Sequence, residues 1–328
     1  MQRSISDGED EPLVDTTLAI PLHSKRTSRM QRKQEKRDKK QKAKPTLDQL
    51  PTEIVLEILK YVRPSEVFDF SLVNRRFRSL VQANANVIGD SLIRRRYPLV
   101  VQCFPLPRKL CDLESSVQAL LMDPKRQQQK NIHKAQYQHI QMFDPQVLCS
   151  CLTCILAWNN LSLILDFAHW QNNLDGGQPI PMIPRGQSPL WNRELVNRHA
   201  DMVRAALNSP LWHARILERH LASMVRSIKR HRANKGNKRR HVEMSTEEAA
   251  SGTDEFLEKN GPASDAFPFH RDEYYMLESY MPLRWWKTIN QKWIYLMPGS
   301  HDSDIAYLIQ GKQRVTGHGL FAEPISTQ

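Results

Sequence analysis

The stretch LPTEIVLEILKYVRPSEVFDF, Leu50 to Phe70, decides how the rest of the chain is read. Ile54, Ile58, Leu59 and Val62 recur at helical spacing behind Thr52, whose hydroxyl suits an N-cap. Pro64 cannot continue that helix, because it lacks an N–H and its ring clashes with the preceding turn. It opens a second helix instead, SEVFDFSLVN, with Ser65 near the cap. Asn74 caps a third, RRFRSLVQA, with Phe77, Leu80 and Val81 facing inward; a fourth, over 85–96, ends before Pro98. Leu50, Pro51, Ile54, Ile58, Leu59, Val62, Pro64, Val67, Phe70, Val73 and Phe77 together exceed what a three-helix unit of about 40 residues can hide. Either the fourth helix and the downstream chain cover the surplus, or another protein does. Five or six such side chains at about 1.5–3 kcal/mol each offer roughly 8–18 kcal/mol gross. That gain has to exceed an association cost of several kcal/mol or more before binding results. Composition leaves the two readings level.

Working outward, charge divides the chain. The whole carries +12, yet residues 25–44 hold eleven Lys/Arg against Glu35 and Asp38, and residues 226–240 hold eight with no acid. The remainder is therefore net acidic, and the basic character belongs to two tracts. Residues 1–44 have almost no aromatics and are expected to be a disordered basic tail. Residues 97–240 read as helical: a polar stretch near 124–140, an apolar run VLCSCLTCILAWNNLSLILDFAHW (Val147–Trp170), a Gly/Pro loop over 172–187, and helices opened by Ser188-Pro189 and Ser209-Pro210. Residues 241–269 are small, polar and acidic, an expected linker or disordered insertion. An aromatic-rich segment, 270–323, is expected to pack back onto the body through residues such as Tyr274, Trp285 and Trp293. Asn159, Asn160, Ser162 and Asp166 interrupt the long apolar run, so it reads as a buried core helix and no membrane contact is expected. The opening MQRSISDGEDEPLVD places acids where a signal peptide needs an apolar run, so secretion is not expected. Five cysteines in such a chain suggest reduced thiols in the nucleus or cytoplasm.

The order of features in Leu50–Val81 resembles an F-box: Leu-Pro-x-Glu-Ile, then Ile-Leu, then a proline-led helix, then Val-x-basic-x-aromatic-basic. Leu50, Pro51, Glu53, Ile54, Ile58, Leu59, Pro64, Val73, Arg75, Phe77, Arg78 and Leu80 carry the resemblance. Val62 and Val67 stand where leucine is usual, and Phe77 where tryptophan is usual. The resemblance implies a mainly α fold, with a three-helix F-box over 45–96 followed by a mostly helical region with minor irregular or β content. It also implies docking onto the Skp linker subunit, and through it a cullin, of a ubiquitin ligase in which this chain holds an unknown protein substrate. The eleven apolar residues from Leu50 to Phe77 named above are the expected partner-binding set. CLTCILAWNNLSLILDFAHWQ, Cys151 to Gln171, further resembles a segment of uncharacterised fungal F-box proteins. Two rival readings are an F-box protein acting outside a ligase and a basic nuclear protein bound to nucleic acid. The last is not favoured, because the basic tracts lack interleaved aromatics for stacking bases; import signals or simple solvated charge also account for them.

Bond chemistry is not expected. There is no phosphate-binding glycine loop, nucleophile elbow, H-E-x-x-H or array of Cys and His able to catalyse ubiquitin transfer. Cys149, Cys151 and Cys154 invite a zinc reading, but C-x-C-x2-C supplies three thiols where structural zinc needs four ligands. His133, His139, Cys103, Cys111 or His169 would have to complete it. On a continuous helix Cys149 would also point away from the other two. No metal and no cofactor is assigned, and the thiols are read as small buried apolar groups.

Overall fold

The computed structural model describes residues 24–42, 47–130, 138–184, 186–238, 242–259, 270–277, 284–290, 292–295 and 300–318. The fold is mainly helical. The helices are α1 (Lys25–Lys42), α2 (Thr52–Leu59), α3 (Pro64–Val73), α4 (Arg75–Ala83), α5 (Ala85–Arg96), α6 (Val100–Cys103), α7 (Ser115–Leu121), α8 (Pro124–Lys130), α9 (Leu152–His169), α10 (Gln171–Asp175), α11 (Leu190–Asn208), α12 (Pro210–Ala233), α13 (Thr246–Ser251) and α14 (Ser300–His318). Two short antiparallel strands, β1 (Arg284–Lys287) and β2 (Lys292–Tyr295), pair Trp286 with Trp293. The chain forms two compact units, residues 1–51 and residues 52–328.

In the first unit, the basic stretch expected to be disordered is the helix α1. Its described side chains are all exposed. Composition correctly excludes a core here, but Lys, Arg, Gln and Glu are good helix formers in their own right. Ser24 adds a cap by accepting from the Thr27 N–H at 3.1 Å.

The second unit is built around α9, α11 and α12, with α5 laid across α12. Every residue from Asn160 to Phe167 is buried, as expected of a helix apolar on all sides. Its one acid, Asp166, is fully buried and ion-paired with Arg271 at 2.8 Å. Tyr274 Oη donates to the same carboxylate at 2.9 Å, and Arg271 also reaches Asn192 Oδ1 at 3.0 Å. Burial opposes ionisation of Asp166, but the guanidinium overcomes it and holds the carboxyl below its ordinary range. This network ties the segment 270–277 to the body, as the aromatic reading expected of Tyr274; the side chains of Trp285 and Trp293 lie outside the described set. α5 and α12 cross at Gly89, where a Cβ would lie 2.2 Å from the backbone nitrogen of Leu211. Only glycine permits that approach.

Four boundaries differ from expectation: the first helix, read through Val62, ends at Leu59, and Val62 lies beyond it. Arg63, not Ser65, is the N-cap of α3, with Pro64 in the first turn. Ser65 turns elsewhere, its N–H and hydroxyl both donating to Glu218 of α12 at 2.9 and 2.6 Å. Pro189 is itself the N-cap of α11, so Ser188 lies outside that helix. Of the acidic linker expected over 241–269, residues 242–259 are part of the folded body. Val242, Met244, Phe256 and Leu257 are buried, and α13 docks beside α3 and α5, where Arg63 and Arg96 donate to the carbonyls of Ala250 and Ser251. Asp254 accepts from the N–H groups of Leu99 and Val100, both at 2.8 Å, at the start of α6. An average over the segment's composition hides these four large anchors; residues 260–269 lie outside the described ones.

Candidate functional site

The helices α2, α3 and α4 have two faces. Val55, Leu59, Pro64, Val67, Phe77 and Val81 are buried. The Phe77 N–H donates to Asn74 Oδ1 at 2.8 Å, the expected cap, and its ring stacks on Phe70 at 4.1 Å. Phe68 meets Trp212 of α12 at 4.5 Å. Thus α5 and α12 cover part of the apolar surplus from within the chain. The other face stays bare: Ile54 is 50 % exposed, Ile58 45 %, Tyr61 51 %, Leu72 74 % and Val73 67 %.

The expected partner-binding set therefore splits. Ile54, Ile58 and Val73 are exposed, as is Pro51; Leu50, Val62 and Phe70 are half-buried. Leu59, Pro64, Val67 and Phe77 are core residues and offer no surface, because α3 and α4 close over them. Tyr61 and Leu72 were missed. Tyr61 stands in the turn beyond Leu59, the last residue of α2, so helical spacing does not place it beside Ile54 and Ile58. Its ring is stacked under the guanidinium of Arg95 at 4.0 Å, and Arg96 donates to its carbonyl.

Three arginines of the basic tract over 226–240 are engaged within the chain. Arg226 and Arg230 pair with Asp175, and Arg232 donates to the Met244 carbonyl. Arg230 and Arg232 also stand in the last helical turn, where cations suit the macrodipole. Among the described residues no helix is long and apolar enough to cross a membrane.

A second cluster lies at the N-terminus of α9. The helix begins at Leu152, so Cys149 precedes it and Cys151 is its N-cap. All three thiols thereby turn to one side, which a continuous helix would have forbidden. His301, in the first turn of α14, completes the group: its Nδ1 lies 3.4 Å from the sulfurs of Cys151 and Cys154 and 4.0 Å from that of Cys149. The four atoms all fall within 4.8 Å of one another. None of the fourth partners expected from sequence takes part. Cys103 is buried in α6, Cys111 is exposed, His139 faces Tyr274, His169 faces Trp170, and His133 lies outside the described residues. No spacing rule reaches from residue 154 to residue 301. Donation from the Cys151 and Cys154 thiols pulls the Cys149 pKa down, and the same hydrogen bonds, with burial, push Cys151 and Cys154 up. One thiolate is thus favoured and a second is opposed.

The family model of the F-box domain matches residues 47–86. The chain contains an F-box domain, the module through which adaptors of Skp–cullin–F-box ligases dock a Skp linker subunit. No curated protein and no solved structure matches the chain. The fungal resemblance read from Cys151–Gln171 is accordingly unsupported.

Proposed function

We propose that this chain is the substrate-recognition adaptor of a Skp–cullin–F-box ubiquitin ligase. The observation that carries the reading is the F-box match over residues 47–86 together with a bare apolar face on its helices. Ile54 and Ile58 stand one turn apart on α2, Tyr61 follows just past its end, and Leu72 and Val73 close α3. Tyrosine is enriched among the residues that carry binding energy at protein–protein interfaces, and bare apolar side chains mark contact surfaces. The body beyond the F-box holds a protein substrate, and the chain positions that substrate without catalysing transfer itself. Action in the nucleus or cytoplasm is consistent with five cysteines that form no disulfide among the described residues.

The test is co-purification of the full chain with a Skp linker subunit, comparing wild type with the variant carrying Leu50→Ala and Pro51→Ala. The wild type should carry the linker and the double variant should lose it while staying folded. Probing the same complex for a cullin then separates a ligase adaptor from a linker-bound protein with another role. A folded wild type that fails to bind any Skp linker would overturn the reading.

A further inference from the structure

The four side chains gathered between α9 and α14 have the dimensions of a coordination shell. With Zn–S near 2.3 Å and Zn–N near 2.0–2.1 Å, tetrahedral geometry requires sulfur–nitrogen separations of about 3.6 Å. The observed separations are 3.4, 3.4 and 4.0 Å. Three buried sulfurs aimed at one imidazole nitrogen make poor hydrogen-bond partners for one another. They are good ligands for a single borderline-soft cation.

The surroundings fit the same reading independently. Backbone N–H groups approach each sulfur: Cys151 toward Cys149 at 3.5 Å, Cys154 toward Cys151 at 3.4 Å, and Arg108 toward Cys154 at 3.4 Å. Such donors orient thiolate ligands and temper their charge. Arg126 donates to the Ser150 carbonyl at 3.2 Å, and its Nε is buried without a hydrogen-bond partner. A site of three thiolates, one imidazole and one divalent cation carries a net negative charge, which that guanidinium offsets. Asp304, three residues after His301, accepts from both the N–H and the hydroxyl of Thr153 at 2.8 Å, so α14 is held in register with the start of α9. Ile305 and Leu308 pack against Leu110, Val117 and Leu121 beneath the thiols. A cleft of about 510 Å³ passes Cys154 and His301 and gives a cation a route in.

We propose that Cys149, Cys151, Cys154 and His301 bind one zinc ion as a closed, structural Cys3His site. Binding displaces the thiol protons and leaves the cation with four protein ligands and no open position for substrate. Its effect is to pin α14 to residues about 150 positions earlier in the chain.

The experiment is metal analysis of the full-length chain purified from zinc-replete cells, followed by exchange with cobalt(II). Wild type should carry about one zinc per chain, and its cobalt form should show the intense visible bands and thiolate charge-transfer absorption of a tetrahedral thiolate site. Cys151→Ser and His301→Ala should each lose the zinc, whereas Cys111→Ser, at an exposed thiol outside the cluster, should keep it. Chelation should open α14 to proteolysis. If a variant fails to fold, the zinc content and cobalt spectrum of the wild type still decide. A folded wild type without zinc that is silent to cobalt, a disulfide among the three cysteines, or zinc retained in both ligand variants would overturn the proposal.

Discussion

The F-box helices and the thiol corner are both built at helix ends, but over very different lengths of chain. In the F-box, the cap Asn74 and the residue it holds, Phe77, are three positions apart, and the ring that Phe77 stacks on is seven away. In the thiol corner, His301 meets sulfurs 147 to 152 residues upstream. The first arrangement follows from local rules of capping, proline placement and helical spacing. The second exists only because α9 and α14 pack together. Local order of this kind repeats in a recognisable pattern, whereas a site assembled from distant segments leaves no spacing to recognise.

The largest expected effect separates the two regions through the core of the F-box. Phe77→Ala should cost about 3–5 kcal/mol, since it empties a fully buried ring site against Phe70. Urea unfolding measures this, and a loss below about 1 kcal/mol would mean that α4 does not depend on that packing. Gly89→Ala comes next, because the new methyl meets the backbone of α12 and neither helix can move aside cheaply. A loss of about 1–3 kcal/mol is expected. An unchanged midpoint would show that α5 and α12 do not cross so closely.

Ile58→Ala should behave in the opposite way to Phe77→Ala. Stability should stay within about 0.5 kcal/mol of wild type, because the side chain is half exposed. Affinity for a Skp linker, read by titration calorimetry, should fall about tenfold or more if the bare face is the docking face. Unchanged affinity would remove α2 from that face.

The last effect concerns pH. Burial pushes the Asp254 carboxyl up to about 6, against the lowering influence of the Val100 and Leu99 N–H groups. In the unfolded chain an Asp titrates near pH 3.9, so between about pH 4 and 6 the folded state binds more protons. The stability contributed by this group is therefore present below about pH 4 and is lost as pH rises through about 6. Asp254→Asn keeps an oxygen for both amides and should remove that slope. A stability difference between the two proteins that stays flat from about pH 4 to 7 would refute it.

Much of the F-box was legible because each step rests on neighbours within one or two turns. The Asn74 cap, the Pro64 restart and the α5 boundaries all stand where spacing places them. Which apolar residues face out was only half legible. Leu59, Val67 and Phe77 look no different in sequence from Ile58 and Val73, and it is α3, α4, α5 and α12 that sort buried from bare. The segment after residue 241 failed for another reason, since a few large anchors outweigh the polar majority once a groove exists to receive them.

The sequence by itself determined the helical class, the F-box, the two basic tracts and the three clustered thiols, because periodicity, capping and charge act over short stretches of chain. Only the tertiary structure decided which face of the F-box helices stays bare, that Asp166 is answered by Arg271, and that His301 stands beside the thiols. Those outcomes depend on long-range packing, where contacts are set by the competition of whole surfaces for burial and not by the distance between residues along the chain.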